Sequence, residues 1–347
     1  MIKLLTYSDI APQQWQALVE QSPYATWFQT KEAYEFYAAN KEEMTPFAIG
    51  VEEDGHLTGV IVGYTTQEKN PIKQLFTCRS IIIGGPLLDE HISSNALSAL
   101  LEMIGKESTG VADLQPAGRS TAKRSTGLSP IYIETRNFHD YSPGKEVFET
   151  CGFLYQPHYD IHVHCNTTHT MSEQRIRQVK KAVKNGAEIS EAQSEQEIRD
   201  WYRILQQLYQ EKVRTPLFSE EFFLQFYRNG VGKYLLVKYQ GKVIGGMMCP
   251  ILKNKAIYEW YVCGLDEEYR DQYPSVMATH AAIEYAKQNS LPLFDFMGAG
   301  QPDIPYGVRD FKMEFGGELV EHGRFLCVRK PLLFRIGRLG VRWLKKG

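Results

Sequence analysis

The chain has 347 residues, 43% of them hydrophobic and 23% charged, with a formal net charge of −2. That length exceeds one comfortable core and points to two domains, while the near-neutral balance excludes a globally basic nucleic-acid binder and leaves only local patches for such contacts. The six cysteines form no C-x-x-C pair, the start Met1 to Leu5 runs at once into polar residues, and no apolar run reaches membrane-spanning length, so a cytoplasmic protein with reduced, mostly buried thiols is expected.

In chain order, the first half reads as a helix from Trp15 to Glu20, a second amphipathic helix, and a strand beginning at Phe47. A turn follows at Asp54-Gly55, then a return strand. Asp-Gly between apolar runs signals a hairpin because glycine takes positive φ at little cost. A further strand ends at Gly85-Pro86-Leu87, and a helix covers Ala96 to Ile104. Next come a strand at Ile131 to Glu134, a short helix at Phe148 to Cys151, Gly152, and a last strand at Tyr159 to His164. The second half repeats this order. It has a helix at Arg199 to Gln210, a hairpin at Gln240-Gly241, strand punctuation at Cys263-Gly264-Leu265, and a helix at Ser275 to Gln288. A strand at Leu293 to Phe296, a short helix at Phe311 to Phe315, Gly316-Gly317 and a strand at Phe325 to Val328 complete it. Gly55 matches Gly241 and Gly59 matches Gly245, both 186 residues apart (241 − 55 and 245 − 59). Agreement of order and turn placement over most of both halves predicts a duplicated α/β unit, with domains at 1–167 and 168–347. Between Lys106 and Pro130 lies a Ser, Thr, Gly, Lys and Arg-rich loop, carrying Arg119, Lys123 and Arg124.

Several motifs carry a family resemblance. They are Ser22-Pro23-Tyr24 with Phe28-Gln29-Thr30; Arg175-Ile176-Arg177 with Lys180-Lys181 and Asn185-Gly186-Ala187-Glu188-Ile189; Trp260-Tyr261-Val262-Cys263-Gly264; Asp295-Phe296-Met297-Gly298; and Phe311-Lys312 with Phe315-Gly316-Gly317. Over nearly its whole length the chain resembles the Fem family of peptidoglycan-bridge aminoacyltransferases, built from two GNAT N-acyltransferase domains in tandem. The resemblance implies an α/β fold of two mixed-sheet GNAT-like domains. It also implies a bacterial enzyme that moves an aminoacyl group from aminoacyl-tRNA to an amine of a cell-envelope precursor. Two departures alter the acceptor side. Glu35, Phe36 and Tyr37 stand where the family has a phosphate-binding lysine, and Glu134-Thr135-Arg136 occupies the strand where it has an acidic residue.

Attack of a neutral amine on an ester or thioester needs orientation, a proton acceptor and dipoles aimed at the oxyanion, with no metal or other cofactor. The resemblance assigns Lys312 to the substrates, where a fixed ammonium can neutralise a phosphate or developing charge. Tyr261 is the candidate hydroxyl donor; the alternative is an aromatic packed in a core strand. Glu259 alternates with it on the strand and is a candidate proton acceptor. Asp295, in an otherwise apolar strand, is either an ion-pair partner or a site residue. Tyr306, Arg309 and Phe311 precede Lys312 and are expected beside it. Arg175, Arg177 and Lys181 lie on a basic helix that either gathers phosphates or is simply solvated.

Acyl-CoA enzymes of the GNAT fold place a glycine-rich turn at the N-terminus of the central helix. Here that turn is Tyr269 to Ser275, without glycine, and Asp89 to Ser93 in the first copy, which disfavours acyl-CoA as donor. His158, His162, His164 and His169 with Cys165 match no standard zinc spacing and are expected as histidines of an edge strand. The tail, residues 329–347, carries seven Lys and Arg and no acid, with Leu332, Ile336, Leu339 and Trp343 at helical spacing. Such a helix either lies on an anionic membrane or docks on the body. A ligand-binding double-GNAT scaffold without catalysis is the reading from another class.

Overall fold

The computed structural model describes residues 1–107, 129–167 and 170–344; Arg119, Lys123, Arg124 and His169 lie outside the described residues. In chain order the elements are β1 (Ile2–Thr6), α1 (Pro12–Gln21), α2 (Lys31–Ala39), β2 (Met44–Glu53), β3 (His56–Thr66), α3 (Pro71–Thr77), β4 (Ser80–Gly84), β5 (Leu87–Leu88), α4 (Ser94–Glu107), β6 (Tyr132–Asn137), α5 (Lys145–Thr150) and β7 (Leu154–Gln156). They continue with β8 (Tyr159–His164), α6 (Glu173–Lys184), β9 (Ala187–Glu191), α7 (Glu195–Leu208), α8 (Glu220–Arg228), β10 (Gly232–Tyr239), β11 (Lys242–Leu252), β12 (Ala256–Tyr258) and β13 (Tyr261–Gly264). Last come α9 (Pro274–Gln288), β14 (Leu293–Asp295), α10 (Gly307–Met313), β15 (Glu318–Glu321), β16 (Arg324–Val328) and α11 (Pro331–Leu344).

Two compact units result: residues 1–157 with 322–347, and residues 158–321. Each holds an eight-stranded mixed sheet. The first runs β1-β2-β3-β4-β6-β16-β7 with β5 on β3, and the second β9-β10-β11-β12-β14-β8-β15 with β13 on β11. Place by place the two orders coincide. Both hairpins carry a bulge at the same point, Val51/Glu52 in β2 and Val237/Lys238 in β10. Both turn through two left-handed residues, Asp54-Gly55 (φ 50°, 88°) and Gln240-Gly241 (φ 50°, 77°), as the hairpin signal requires.

The structure departs from a single cut at 167/168 in one respect. Tyr159–His164, expected as the last strand of the first copy, pairs with β14 and β15 in the second unit. Arg324–Val328, expected in the second, pairs with β6 and β7 in the first. Both strands alternate buried apolar residues, Ile161 and Val163 in one, Phe325 and Cys327 in the other. Either pattern satisfies either sheet, so period 2 alone could not assign the partner.

The Phe28-Gln29-Thr30 motif has a structural purpose. Strand β3 pairs with β4 at Tyr64 and Thr65, and with β5 at Gly59 and Val60, leaving residues 61–63 without a rung. The fully buried Gln29 amide fills the gap. Its Nε2 donates to Val62 O at 3.0 Å and Ile83 O at 2.8 Å, and its Oε1 accepts from Val62 N–H at 2.8 Å. Gln29→Leu, close in size but without donors or acceptors, strands three buried backbone groups. It is expected to cost on the order of 3 kcal/mol, read as a lowered urea midpoint with unchanged slope.

Candidate active site

The site grows from a parting of two parallel strands in the second unit. β12 and β14 pair at Ala256–Leu293, Ile257–Phe294 and Tyr258–Asp295, and the last rung is Glu259 N–H to Asp295 O at 2.9 Å. Beyond it Trp260 N–H turns to Met248 O (3.1 Å) and Phe296 N–H to Ile161 O (3.1 Å). The strands therefore diverge into a fork, with β13 on one side and residues 296–300 on the other. Trp260, Tyr261, Val262, Gly264, Met297 and Gly298 along its arms are all partly exposed.

Glu259 sits buried at the crotch. Lys312 reaches it from α10, with Nζ 2.9 Å from Glu259 Oε1, and also donates to Phe296 O at 2.8 Å and Gly298 O at 2.9 Å. An ammonium has three protons and all three are placed. Lys312, expected as a fixed ammonium at the substrates, is 8% exposed and directs its protons at oxygens of the chain. Its neighbours explain why two carbonyls converge on it. Met297 (φ 56°), Gly298 (φ 129°) and Gly300 (φ 83°) are left-handed. The bend is held from the other side by Met297 N–H on Asp295 Oδ1 (2.6 Å), Gly298 N–H on Asp160 Oδ1 (2.7 Å) and Ala299 N–H on Tyr159 O (2.7 Å). A carboxylate catching the N–H two residues on is the usual Asp turn, which accounts for the Asp295-Phe296-Met297-Gly298 motif.

Charge balances locally. Burial raises the Glu259 pKa, and the Lys312 charge and hydrogen bond offset this only in part. Asp160 is pushed well above the usual carboxylate range by burial and by the neighbouring Asp295 charge. Asp295 moves the other way. Burial opposes its ionisation, but the hydrogen bond and charge of His162, the Met297 N–H and a hydrogen bond from Asp160 outweigh it. His162, 3.5 Å from Asp295, is raised to about 9, because the bond and charge of Asp295 and the charge of Asp160 overcome burial. Two basic groups, Lys312 and His162, thus face three buried carboxyl groups, Glu259, Asp295 and Asp160, whose proton affinities burial and neighbouring charges move in different directions.

The remaining expected residues separate into three places. Arg309 donates to Gln301 O (2.9 Å) and Ile304 O (2.8 Å), clamping the segment after the bend, and the Tyr306 ring packs over Gly300, where a Cβ would come within 2.8 Å of it. Arg175 is buried with its guanidinium 4.3 Å from the Phe311 ring centre and 3.2 Å from Glu314, so both residues anchor α10. Arg177 and Lys181 are exposed and paired with Glu173 (3.2 Å) and Asp271 (2.8 Å). Tyr261 does not continue one strand with Glu259, since residues 259–260 separate β12 from β13. Its ring lies among Phe223 (5.1 Å between centres), Trp260 (5.9 Å) and Tyr209 (6.2 Å).

Sequence reasoning missed Asp160 and misplaced His162. β8 is an interior strand between β14 and β15, not an edge. Asp160 and His162, two apart, share a face, and that alternation of ionisable residues was the available signal. Among the described residues Asp160, His162 and Asp295 bring ligand atoms within 4.8 Å of one another. Asp160 Oδ1, however, is already taken by the N–H groups of Ile161 and Gly298, both at 2.7 Å. His164 is exposed and lies 3.2 Å from Glu318.

The same place in the first unit is filled. β4 and β6 pair through Gly84–Asn137, and residues 80–88 beyond and before the fork are all buried. Tyr141 OH sits 2.6 Å from Pro86 O and 3.2 Å from Gly84 O. A Cβ on Gly84 would come within 2.3 Å of Thr26, and one on Gly85 within 2.6 Å of the Tyr141 ring. Glu134, where the resemblance departs, is locked by Arg136 and Arg324 at 3.0 Å each. Burial opposes its ionisation but the two arginines hold it at about 2.

Two outcomes follow for stability. Lys312→Met leaves Glu259 as an uncompensated buried charge and is expected to cost about 3–5 kcal/mol in chemical denaturation, most of it recovered in Lys312→Met/Glu259→Gln. His162 binds its proton more tightly folded than unfolded, so its contribution is full below about pH 6.5 and vanishes as pH rises through about 9. At about 1.4 kcal/mol per tenfold in proton affinity, stability should fall by roughly 3 kcal/mol across that window. His162→Gln should flatten the profile.

The fold has counterparts. The acetyltransferase (GNAT) domain family model matches residues 172–313. No curated protein matches the chain in sequence. Among solved structures, FemX is similar over 96% of this chain and 99% of its own, at 14% identity and a TM-score of 0.69. L-PGS from Bacillus licheniformis is similar over 95% and 96%, at 13% identity and 0.58. A tandem GNAT protein from the clavulanic acid biosynthesis pathway covers 94% and 98%, at 11% identity and 0.53. The chain therefore has a Fem-like tandem GNAT fold, and the stretch that matches the acetyltransferase (GNAT) domain family lies in the second unit around the Glu259–Lys312 pair.

Proposed function

We propose that the protein is an aminoacyltransferase that moves an aminoacyl group from aminoacyl-tRNA to an amine of a peptidoglycan precursor or related cell-envelope acceptor in the bacterial cytoplasm. The observation that carries the reading is the buried Glu259–Lys312 pair at the crotch of a partly exposed fork, inside the segment that matches the GNAT acetyltransferase family. The acceptor nitrogen attacks the ester carbonyl, and its N–C bond forms as the C–O bond to the tRNA ribose breaks. Glu259, whose proton affinity is raised by burial, takes the proton lost by the amine and returns it to the ribose oxygen as that oxygen leaves. Lys312 acts as a positioning residue: it orients Glu259 and holds the bend that forms the opposite arm. Tyr261, on the other arm, is the candidate hydroxyl donor to the oxyanion.

Acyl-CoA acting on a sugar or lipid amine is the second reading, favoured by the domain family alone. The central helices speak against it. At the start of α9, Asp266 Oδ1 accepts Ser275 N–H at 3.0 Å and its other oxygen accepts the Ser275 hydroxyl. At the start of α4, Glu53 Oε2 accepts Ser93 N–H at 3.2 Å. Where a pyrophosphate would need bare N–H groups and positive potential, each helix already carries a carboxylate.

The purified chain, given charged tRNA and candidate amines, should deacylate the tRNA only with a competent amine present. Acyl-CoA should stay intact, and loss of acyl-CoA in its place would establish the second reading. Glu259→Gln should lower kcat by about 10²–10⁴-fold, with the loss of rate at acid pH abolished as well. Asp266→Ala should cost about 1 kcal/mol of stability as a lost helix cap, measured by denaturation.

A further inference from the structure

We infer that the first unit carries a docking face for an anionic lipid bilayer, built from α3 and α11 together. The two helices pack on one another in that unit, where a Cβ on Gly337 would lie 4.0 Å from Phe76 O. α11 is seated by Phe334, whose ring meets Tyr132 edge-on at 5.4 Å. Seating one face leaves another outward. Leu332 is 75% exposed and Ile336, one turn on, 54%; α3 adds Ile72 at 71%, with Phe76 and Leu75 also exposed. Exposed large apolar side chains scattered singly need no explanation, but five on two adjoining helices form a patch.

The charge around the patch names its occupant. Residues 329–347 hold seven Lys and Arg and no acid, whereas the whole chain is at −2, so the other 328 residues carry −9 (−2 − 7). Positive charge is therefore concentrated in the segment that contains α11. Arg335 and Arg338 are exposed beside Leu332 and Ile336, and α3 contains no acid. Apolar side chains sunk at the acyl boundary with arginines at headgroup level are the chemistry of an interfacial helix. A two-fold contact with a second copy would set Arg335 and Arg338 against their own counterparts, which like-charge repulsion opposes. No helix among the described residues is long and apolar enough to cross a membrane, so the contact is one of lying on the surface. The inference is independent of the acyl donor, because lipid binding needs no turnover.

The full chain is mixed with phosphatidylcholine vesicles, with and without phosphatidylglycerol, and sedimented. Binding is expected only to the phosphatidylglycerol vesicles, weakening as salt is raised. The exposed-residue variants Leu332→Asp/Ile336→Asp and Ile72→Asp/Phe76→Asp should each lower the bound fraction by about tenfold, and Arg335→Glu/Arg338→Glu likewise, with unchanged melting temperature and tRNA deacylation. No binding to anionic vesicles overturns the inference, as does equal binding to both vesicle types. Binding that survives all three double substitutions overturns it too. A concentration-dependent dimer abolished by Leu332→Asp/Ile336→Asp would assign the face to a second copy instead.

Discussion

One ammonium sets the arrangement of the second unit. Lys312 receives a carboxylate and two backbone carbonyls, and those carbonyls converge only because Met297 and Gly298 take left-handed conformations. Without a buried cation, three oxygens would face one another with no donor, which a protein interior tolerates poorly. With it, the bend becomes a rigid arm of the fork, and the carboxylate of Glu259 has one position. Asp160, Asp295 and His162 complete the same device from the opposite side of the bend. Burial and neighbouring charges move their proton affinities in opposite directions, raising that of Asp160 and lowering that of Asp295.

The duplicated plan makes the specialisation visible. Both sheets have the same strand order, the same bulge and the same hairpin, yet their forks are treated oppositely. In the first, Gln29 and Tyr141 meet the carbonyls of Ile83, Gly84 and Pro86, and the Thr26 side chain and the Tyr141 ring fill the space beside Gly84 and Gly85. In the second, a carboxylate and an ammonium occupy the parting and its arms stay partly exposed. Filling a fork stabilises a sheet; keeping one open around buried charge costs stability and is worth keeping where chemistry is done.

Element order, both hairpins, the glycine offsets and the motifs around Lys312 were legible in the sequence, because they depend on local turn chemistry and period. The exchange of Tyr159–His164 with Arg324–Val328 was not. Register and partner choice are properties of the neighbouring strand, and two strands with the same alternation carry no label for it. Lys312 could be located but not interpreted, since the saturation of its three protons depends on carbonyls 14 and 16 residues away and on Glu259, 53 away (312 − 298, 312 − 296 and 312 − 259). Gln29 was visible only as part of a motif; that its amide replaces strand rungs follows from where β3 changes partner. Asp160 went unnoticed because a single acid at the start of a strand resembles a solvated one until both its oxygens are traced.

The helix starts show the same requirement met twice by different means. A helix N-terminus presents N–H groups and positive potential, and something anionic or at least accepting has to meet them. In the first unit the carboxylate comes from Glu53, at the end of a hairpin strand upstream. In the second it comes from Asp266, in the turn after β13. Neither position corresponds to the other in the repeat, so the common feature is the electrostatic need and not a shared residue. An external phosphate would have to displace a carboxylate already hydrogen-bonded at the helix start, and would meet its charge while doing so. The start of each central helix is therefore met by a carboxylate of the chain itself, and an acyl donor without a pyrophosphate makes no demand on those N–H groups.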